Sequence, residues 1–239
     1  MTTTSKVQPV FIDGHWVTEN AVKTFTSKDP STSEAIDRVY PVSSWETCDR
    51  VLEAAHRAFQ ISRNLAPAKI ASFLEDYASR IQAESQELVE IANRETALPK
   101  SPRLADVELP RTVNQLRLAA EATRNESWRM PIIDRKANIR SCYMPLGPVA
   151  VFGPNNFPFA FNSISGGDFA AAIAAGNPVI AKANSSHPAT TERFGQLVAQ
   201  AMQATGMPSG LVQLIYRTSH EDGERLVADP RLAAVGYTG

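Results

Sequence analysis

The amino-acid sequence predicts an α/β fold: an incomplete doubly wound parallel sheet preceded by an N-terminal helical segment and an extended arm. Three observations carry that prediction. Before about residue 130 the apolar residues recur mainly at helical spacing, after residue 137 short apolar runs alternate with helical stretches, and the last apolar run, Ala233 to Thr238, has no helix after it. Alternation with short connections implies parallel strands joined by right-handed crossovers, with helices on both faces of the sheet. The chain then divides into a hairpin and helical part (1–131), an arm (132–147) and a parallel α/β part (148–239).

Each element has a local cause. Val10 to Val17 reads as two short strands around an Asp13-Gly14 turn. Val51, Ala55, Ala58 and Phe59 share one face of a helix over about 44–60, with Ser43 and Ser44 as cap candidates. Pro67 suits a first helical turn, and Ile70, Phe73, Leu74, Tyr77 and Ile81 line the face of that next helix. Helices follow at about 84–97 and 105–124, the second starting or bending at Pro110. Asn138 to Met144 reads as extended, Gly147 to Phe152 as a buried strand. Beyond it the spacing predicts a helix over 160–175 closed by Gly176, a strand at 179–182, a helix over 189–205 ended by Gly206, a strand at 211–216, a helix over 220–229 and a strand at 233–238.

Composition narrows the function classes. In 239 residues, 24 Lys and Arg face 25 Asp and Glu, a net charge of −1 with no basic cluster, so neither nucleic acid nor an anionic membrane is an expected partner. No apolar run approaches the roughly 18 residues of a membrane span, and Met1 to Gln8 lacks the apolar stretch of a signal peptide. A cytoplasmic location is the expectation. Two cysteines, Cys48 and Cys142, exclude a disulfide framework, and the scattered His15, His56, His187 and His220 give no metal pattern and read as solvent-facing or locally bonded.

Ligands of open parallel sheets bind beyond the carboxyl ends of the strands, here the loops after Phe152, Lys182, Tyr216 and Thr238. In Gly153-Pro154-Asn155-Asn156-Phe157-Pro158 two prolines restrict two amides. That loop is either an Asn-rich turn capping the next helix or a rigid amide aimed at a developing oxyanion. In Lys182-Ala183-Asn184-Ser185-Ser186-His187-Pro188 the lysine and the following helix start suit a phosphate or ribose; a lysine snorkelling at the sheet edge is the other reading. Neither G-x-G-x-x-G nor G-x-x-x-x-G-K-[ST] occurs.

Four segments taken together, Gly-Pro-Asn-Asn-Phe-Pro (153–158), Ala-Gly-Asn-Pro-Val-Ile-Ala-Lys (175–182), Gly-Met-Pro-Ser-Gly-Leu-Val (206–212) and Gly-Tyr-Thr-Gly (236–239), resemble the aldehyde dehydrogenase superfamily in order and spacing. Phe-Ile-Asp-Gly-His-Trp at the front and Arg94-Glu95-Thr96-Ala97-Leu98-Pro99 extend the resemblance, and the variant loops look most like the branch that oxidises 2-oxoglutarate semialdehyde, also called 2,5-dioxovalerate. The resemblance implies a cofactor site of Phe152, Gly153, Pro154, Asn155, Lys182, Asn184, Ser185, Gly210, Thr238 and Gly239, with Asn156 as the catalytic amide. Ser185 stands where the family commonly has Glu, so NADP is expected, with NAD possible. Unless Ser185 is merely a helix-entry residue, it donates to a 2′-phosphate that a carboxylate would repel. Arg111 and Gln115, one turn apart, are the implied substrate residues, the arginine pairing with a distal carboxylate unless an intrahelical ion pair holds it.

The same resemblance implies an arm that makes a homo-oligomer in the complete protein, and a nucleophilic Cys and general-base Glu beyond residue 239. Cys48 and Cys142 have no candidate base beside them and read as structural. The leading expectation is therefore the N-terminal part of a semialdehyde dehydrogenase, inactive alone. A non-catalytic partner of intact relatives and a non-functional remnant are the alternatives.

Overall fold

The computed structural model describes residues 6–19 and 21–239. The polar start from Met1 to Ser5 lies outside them. Val10–Ile12 (β1) and His15–Val17 (β2) form the expected hairpin, and Asp13 and Gly14 take the positive φ values, 48° and 80°, that a two-residue turn needs. Thr24–Phe25 (β3) and Tyr40–Ser43 (β4) follow as short strands too brief for a periodic signal. Helices Trp45–Ser62 (α1), Pro67–Ala83 (α2) and Ser85–Thr96 (α3) match their apolar stripes. An irregular helical stretch, Lys100–Glu108, then leads into Leu109–Arg124 (α4), with Pro110 in its first turn. Ile132–Asp134 (β5) and Ile139–Ser141 (β6) pair only with each other, and every residue from Met130 to Met144 is exposed, Ile132 at 64%.

The parallel part comprises Val149–Phe152 (β7), Gly167–Ala174 (α5), Val179–Lys182 (β8), Pro188–Thr205 (α6), Val212–Ile215 (β9), Arg217–Thr218 (β10), His220–Ala228 (α7) and Ala234–Tyr237 (β11). The main sheet runs β11-β7-β8-β9-β1-β2, with β11, β7, β8 and β9 parallel and the hairpin added antiparallel beside β9. β10, β4 and β3 form a separate small sheet. The crossovers through α5 and α6 step one way along the sheet and the one through α7 steps back. Right-handedness therefore puts α7 on the opposite face, where it packs on α1, while α2 packs against α4, α5 and α6. Between these layers lies one core that includes Phe11, Phe73, Tyr77, Phe159, Phe169 and Phe194. Each such side chain contributes roughly 1.5–3 kcal/mol by leaving water.

Two expectations change. The helix expected from residue 160 begins only at Gly167, because side chains capture the backbone before it. Asn162 bonds Pro158 O and the Ile164 amide, Ser165 Oγ reaches Phe159 O, and Gly166 lies so close to Phe161 that a Cβ would meet its backbone at 2.7 Å. Ser44 opens α1 without a side-chain cap, and Ser43 donates instead to Glu19. On β11, Val235 and Tyr237 are exposed, the latter at 74%. Among the described residues no helix is long and apolar enough to cross a membrane.

Candidate functional site

Strand register brings the loop origins together: Phe152 lies opposite Lys182, Lys182 opposite Ile215, and Tyr237 opposite Phe152. Loops 153–158 and 183–187 are then fastened to each other. Asn184 Nδ2 donates to Gly153 O at 3.1 Å, and His187 Nε2 lies 2.9 Å from Pro154 O. A carbonyl only accepts, so Nε2 carries the proton. Burial lowers the pKa of this ring, and its Nδ1 is enclosed with no partner. His187 is thus neither solvent-facing nor locally bonded; it is a buried tie across 33 residues of sequence. Gly153 is required, since a Cβ there would sit 2.6 Å from Phe161 O.

Asn155 and Asn156 are exposed on the first loop. No helix starts behind them, which removes the capping role, and the Asn156 carboxamide makes no hydrogen bond among the described residues. Its main-chain oxygen accepts from Arg103 Nη2 at 2.8 Å. On the second loop, Lys182 is half-buried with no acidic partner among the described residues, and its pKa is lowered by burial and then by Arg217. Ser185 is likewise free and does not cap α6, whose N-cap position is His187.

The start of α6, expected as an anion site, is already filled by the chain itself. Buried Glu95 accepts from the amides of Ala189 (2.9 Å) and Thr190 (2.8 Å), from Thr190 Oγ1 (2.8 Å) and from Ser27 Oγ (3.0 Å). A phosphate near Lys182 must therefore be held by side chains, not by this helix terminus.

Phe152 is half-buried, and Thr238 returns to it, donating from its amide to Phe152 O at 3.2 Å and from Oγ1 to Asp168 Oδ2 at 2.9 Å, with Gly239 exposed beyond. Gly210 does not join them. It precedes β9, at the amino end of the strand, packed so tightly on α1 that a Cβ would lie 2.3 Å from Ala54 O. Its glycine serves helix-to-sheet packing, and the structure removes it from the site.

Arg111 makes no ion pair among the described residues. Its guanidinium lies 4.7 Å from the centre of the Phe161 ring, which meets Phe157 edge-on at 5.1 Å, so it stands beside the Asn156 loop. Gln115, one turn on, faces Gly167, and its Oε1 is buried without a partner.

Sequence reasoning missed Arg103, Glu108 and the roles of Glu95 and His187, since their partners lie far along the chain, and Arg217, which meets Lys182 only through its charge. Glu108, 1% exposed, accepts from the amides of Phe159 (2.7 Å) and Ala160 (3.0 Å). Among the described residues no cluster of three metal-ligating side chains occurs.

These buried carboxyls have a measurable consequence. Burial raises Glu95, Glu108 and Glu192 above the ordinary 4.5. Stability from a raised carboxyl is complete below 4.5 and is lost as pH rises through the raised value. Glu75 and Asp229, lowered by Arg124 and Arg231, act only on the acid side, below 4.5 and 3.8. Buried His187, lowered below 6.5, adds stability as pH rises toward that value, so the carboxyls are read from the variants: just above pH 4.5 the slope of denaturant midpoint against pH should be less negative in Glu108→Gln and Glu192→Gln than in the parent. Identical slopes in the variants would show that burial does not control these groups.

Residues 16–239 match the aldehyde dehydrogenase family. The chain belongs to that family. A curated relative, alpha-ketoglutaric semialdehyde dehydrogenase 2 of Azospirillum brasilense, is 40% identical over 90% of this chain and 42% of its own length. The alpha-ketoglutaric semialdehyde dehydrogenase of Acinetobacter baylyi is 35% identical over 96% of this chain and 44% of its own. This aldehyde dehydrogenase chain thus spans less than half the length of those curated relatives. Aldehyde dehydrogenase C of Pseudomonas syringae, solved with NAD+ and octanal, superposes with a TM-score of 0.84 at 23% identity, over 98% of this chain and 46% of that one. A Burkholderia cenocepacia structure described as a putative aldehyde dehydrogenase gives 0.84 at 26% identity over 98% and 46%.

Proposed function

We propose that the chain provides the adenosine side and the oxyanion amide of an NADP-preferring aldehyde dehydrogenase acting on a carboxylate-bearing semialdehyde such as 2-oxoglutarate semialdehyde. The observation that carries this reading is the pair of cross-bonded loops, with the Asn156 amide unengaged on one and the Lys182 ammonium unpartnered on the other. A half-buried cation pushed toward neutrality, beside the free Ser185 hydroxyl and a second cation at Arg217, suits a 2′-phosphate. Bound there, a nicotinamide nucleotide supplies the hydride acceptor. Asn156 Nδ2 would donate to the oxyanion formed when a thiolate adds to the aldehyde, and Arg111 would hold the distal carboxylate.

The thiol and the base would come from outside these 239 residues. Cys48 is buried with its thiol pushed up to about 12, and Cys142 sits on the exposed hairpin. Two free thiols fit a reducing, cytoplasmic setting. The exposed β5–β6 hairpin would serve as the subunit contact of a homo-oligomer.

The test uses this chain completed to its relatives' length with the C-terminal part of the Azospirillum brasilense enzyme. Ser185→Glu should weaken NADP binding by roughly 10–100-fold, about 1.4–2.7 kcal/mol, with little loss for NAD. Lys182→Ala should harm NADP more than NAD. Arg111→Ala should raise KM for the semialdehyde by about tenfold or more, leaving a neutral aldehyde of similar length unchanged. Equal losses for both nucleotides, or for both aldehydes, would overturn the corresponding assignment.

A further inference from the structure

We propose that Arg103 is a positioning residue for Asn156, and that with Glu108 it clamps the turn carrying that amide from both sides; the inference rests on the oxyanion role proposed above. The Arg103 guanidinium makes three contacts at once. It donates through Nη2 to Asn156 O at 2.8 Å, lies 4.2 Å from the centre of the Phe157 ring, and approaches Glu108 Oε2 at 3.4 Å. Glu108 in turn takes the Phe159 and Ala160 amides on its other oxygen. The pair thus holds the carbonyl of 156, the ring of 157 and the N–H groups of 159 and 160, while the Asn156 carboxamide is left free.

Chemistry explains the residue types. Only a planar, forked cation can stack on a ring while donating to a carbonyl and keeping its charge beside a carboxylate, so Lys at 103 is not an equivalent. Glu108 Oε2 has no hydrogen-bond partner of its own and is only 1% exposed at its side chain; of the two charges that compensate it, Arg103 and Arg111, the ion-paired Arg103 is the nearer. Arg111 also acts on Glu108 through its charge, and Phe157 meets Phe161, on which Arg111 stacks. The clamp therefore also supports the wall beside the carboxylate-binding arginine.

Displacing a reacting group by about 1 Å can cost 10²-fold. In the completed chain, Arg103→Ala is expected to lower kcat by roughly 10–50-fold with the aldehyde KM within about twofold. The decisive experiment is a double-mutant cycle with Asn156→Ala: in that background Arg103→Ala should change kcat by less than about threefold, because the amide it positions is gone. Arg103→Lys should recover part of the loss. Hydrogen exchange should quicken at Phe159 and Ala160 in Arg103→Ala and stay unchanged along α4.

Full additivity in the cycle, an unchanged kcat, or a KM rise confined to carboxylate-bearing substrates would each overturn the positioning role. If Asn156→Ala itself leaves kcat unchanged, the oxyanion reading fails, and the exchange rates still decide whether the clamp exists.

Discussion

Glu95→Ala is expected to destabilise the completed chain by about 3–5 kcal/mol, with a fall in Tm of roughly 3–5 °C. Two amides at the start of α6, two hydroxyls and α3 converge on this one buried carboxylate. Alanine would leave those donors enclosed and unpaired, at about 1–3 kcal/mol for each buried group that finds no water, and would remove the only side-chain cap that α6 has among the described residues. Against a total of about 5–15 kcal/mol that is a large share. Glu95→Gln keeps one carbonyl acceptor and should lose less. A melt unshifted from the parent's, by calorimetry under the ~0.5 kcal/mol typical of surface changes, would show that the cap is dispensable.

Asn156→Ala should lower kcat by about 10²–10³-fold, roughly 2.7–4 kcal/mol, with little change in the aldehyde KM, because in the proposed oxyanion role the amide acts on charge that develops only in the transition state. Asn156→Asp should be at least as damaging, since a carboxylate opposes an oxyanion. The side chain is exposed and makes no hydrogen bond in the described structure, so neither change should alter Tm appreciably. Turnover within threefold of the parent would remove Asn156 from the chemistry, and an equal loss of stability would recast it as a structural residue.

Most of the architecture could be read from local pattern. The Asp13-Gly14 hairpin, the stripes of α1, α2 and α6, and the short apolar strands β7, β8 and β9 each leave a signal within a few residues. The start of α5 leaves no periodic signal, because Asn162 and Ser165 tie the backbone before it locally and Glu108, about 50 residues earlier, takes the Phe159 and Ala160 amides. The site divides the same way. Family resemblance pointed to Asn156, Lys182 and Ser185, which stand free at the strand ends. It could not show what holds them, since His187 reaches back to Pro154 and Arg103 reaches forward to Asn156, bonds with no sequence spacing of their own. Gly210 misled for the opposite reason: it sits in a recognisable motif, but at the far end of its strand.

The occupation of the α6 terminus by Glu95 bears on how this protein can evolve. Where a helix terminus grips a phosphate, changing the ligand means disturbing the backbone. Here that terminus is committed to the fold, and the side chains proposed to discriminate between nucleotides, Lys182, Ser185 and Arg217, have no ion pair or hydrogen bond to lose among the described residues. Mutations at those three positions are nearly free of structural penalty, so nucleotide preference can drift or be selected one side chain at a time, in a lineage or in a directed-evolution library, while the scaffold stays intact.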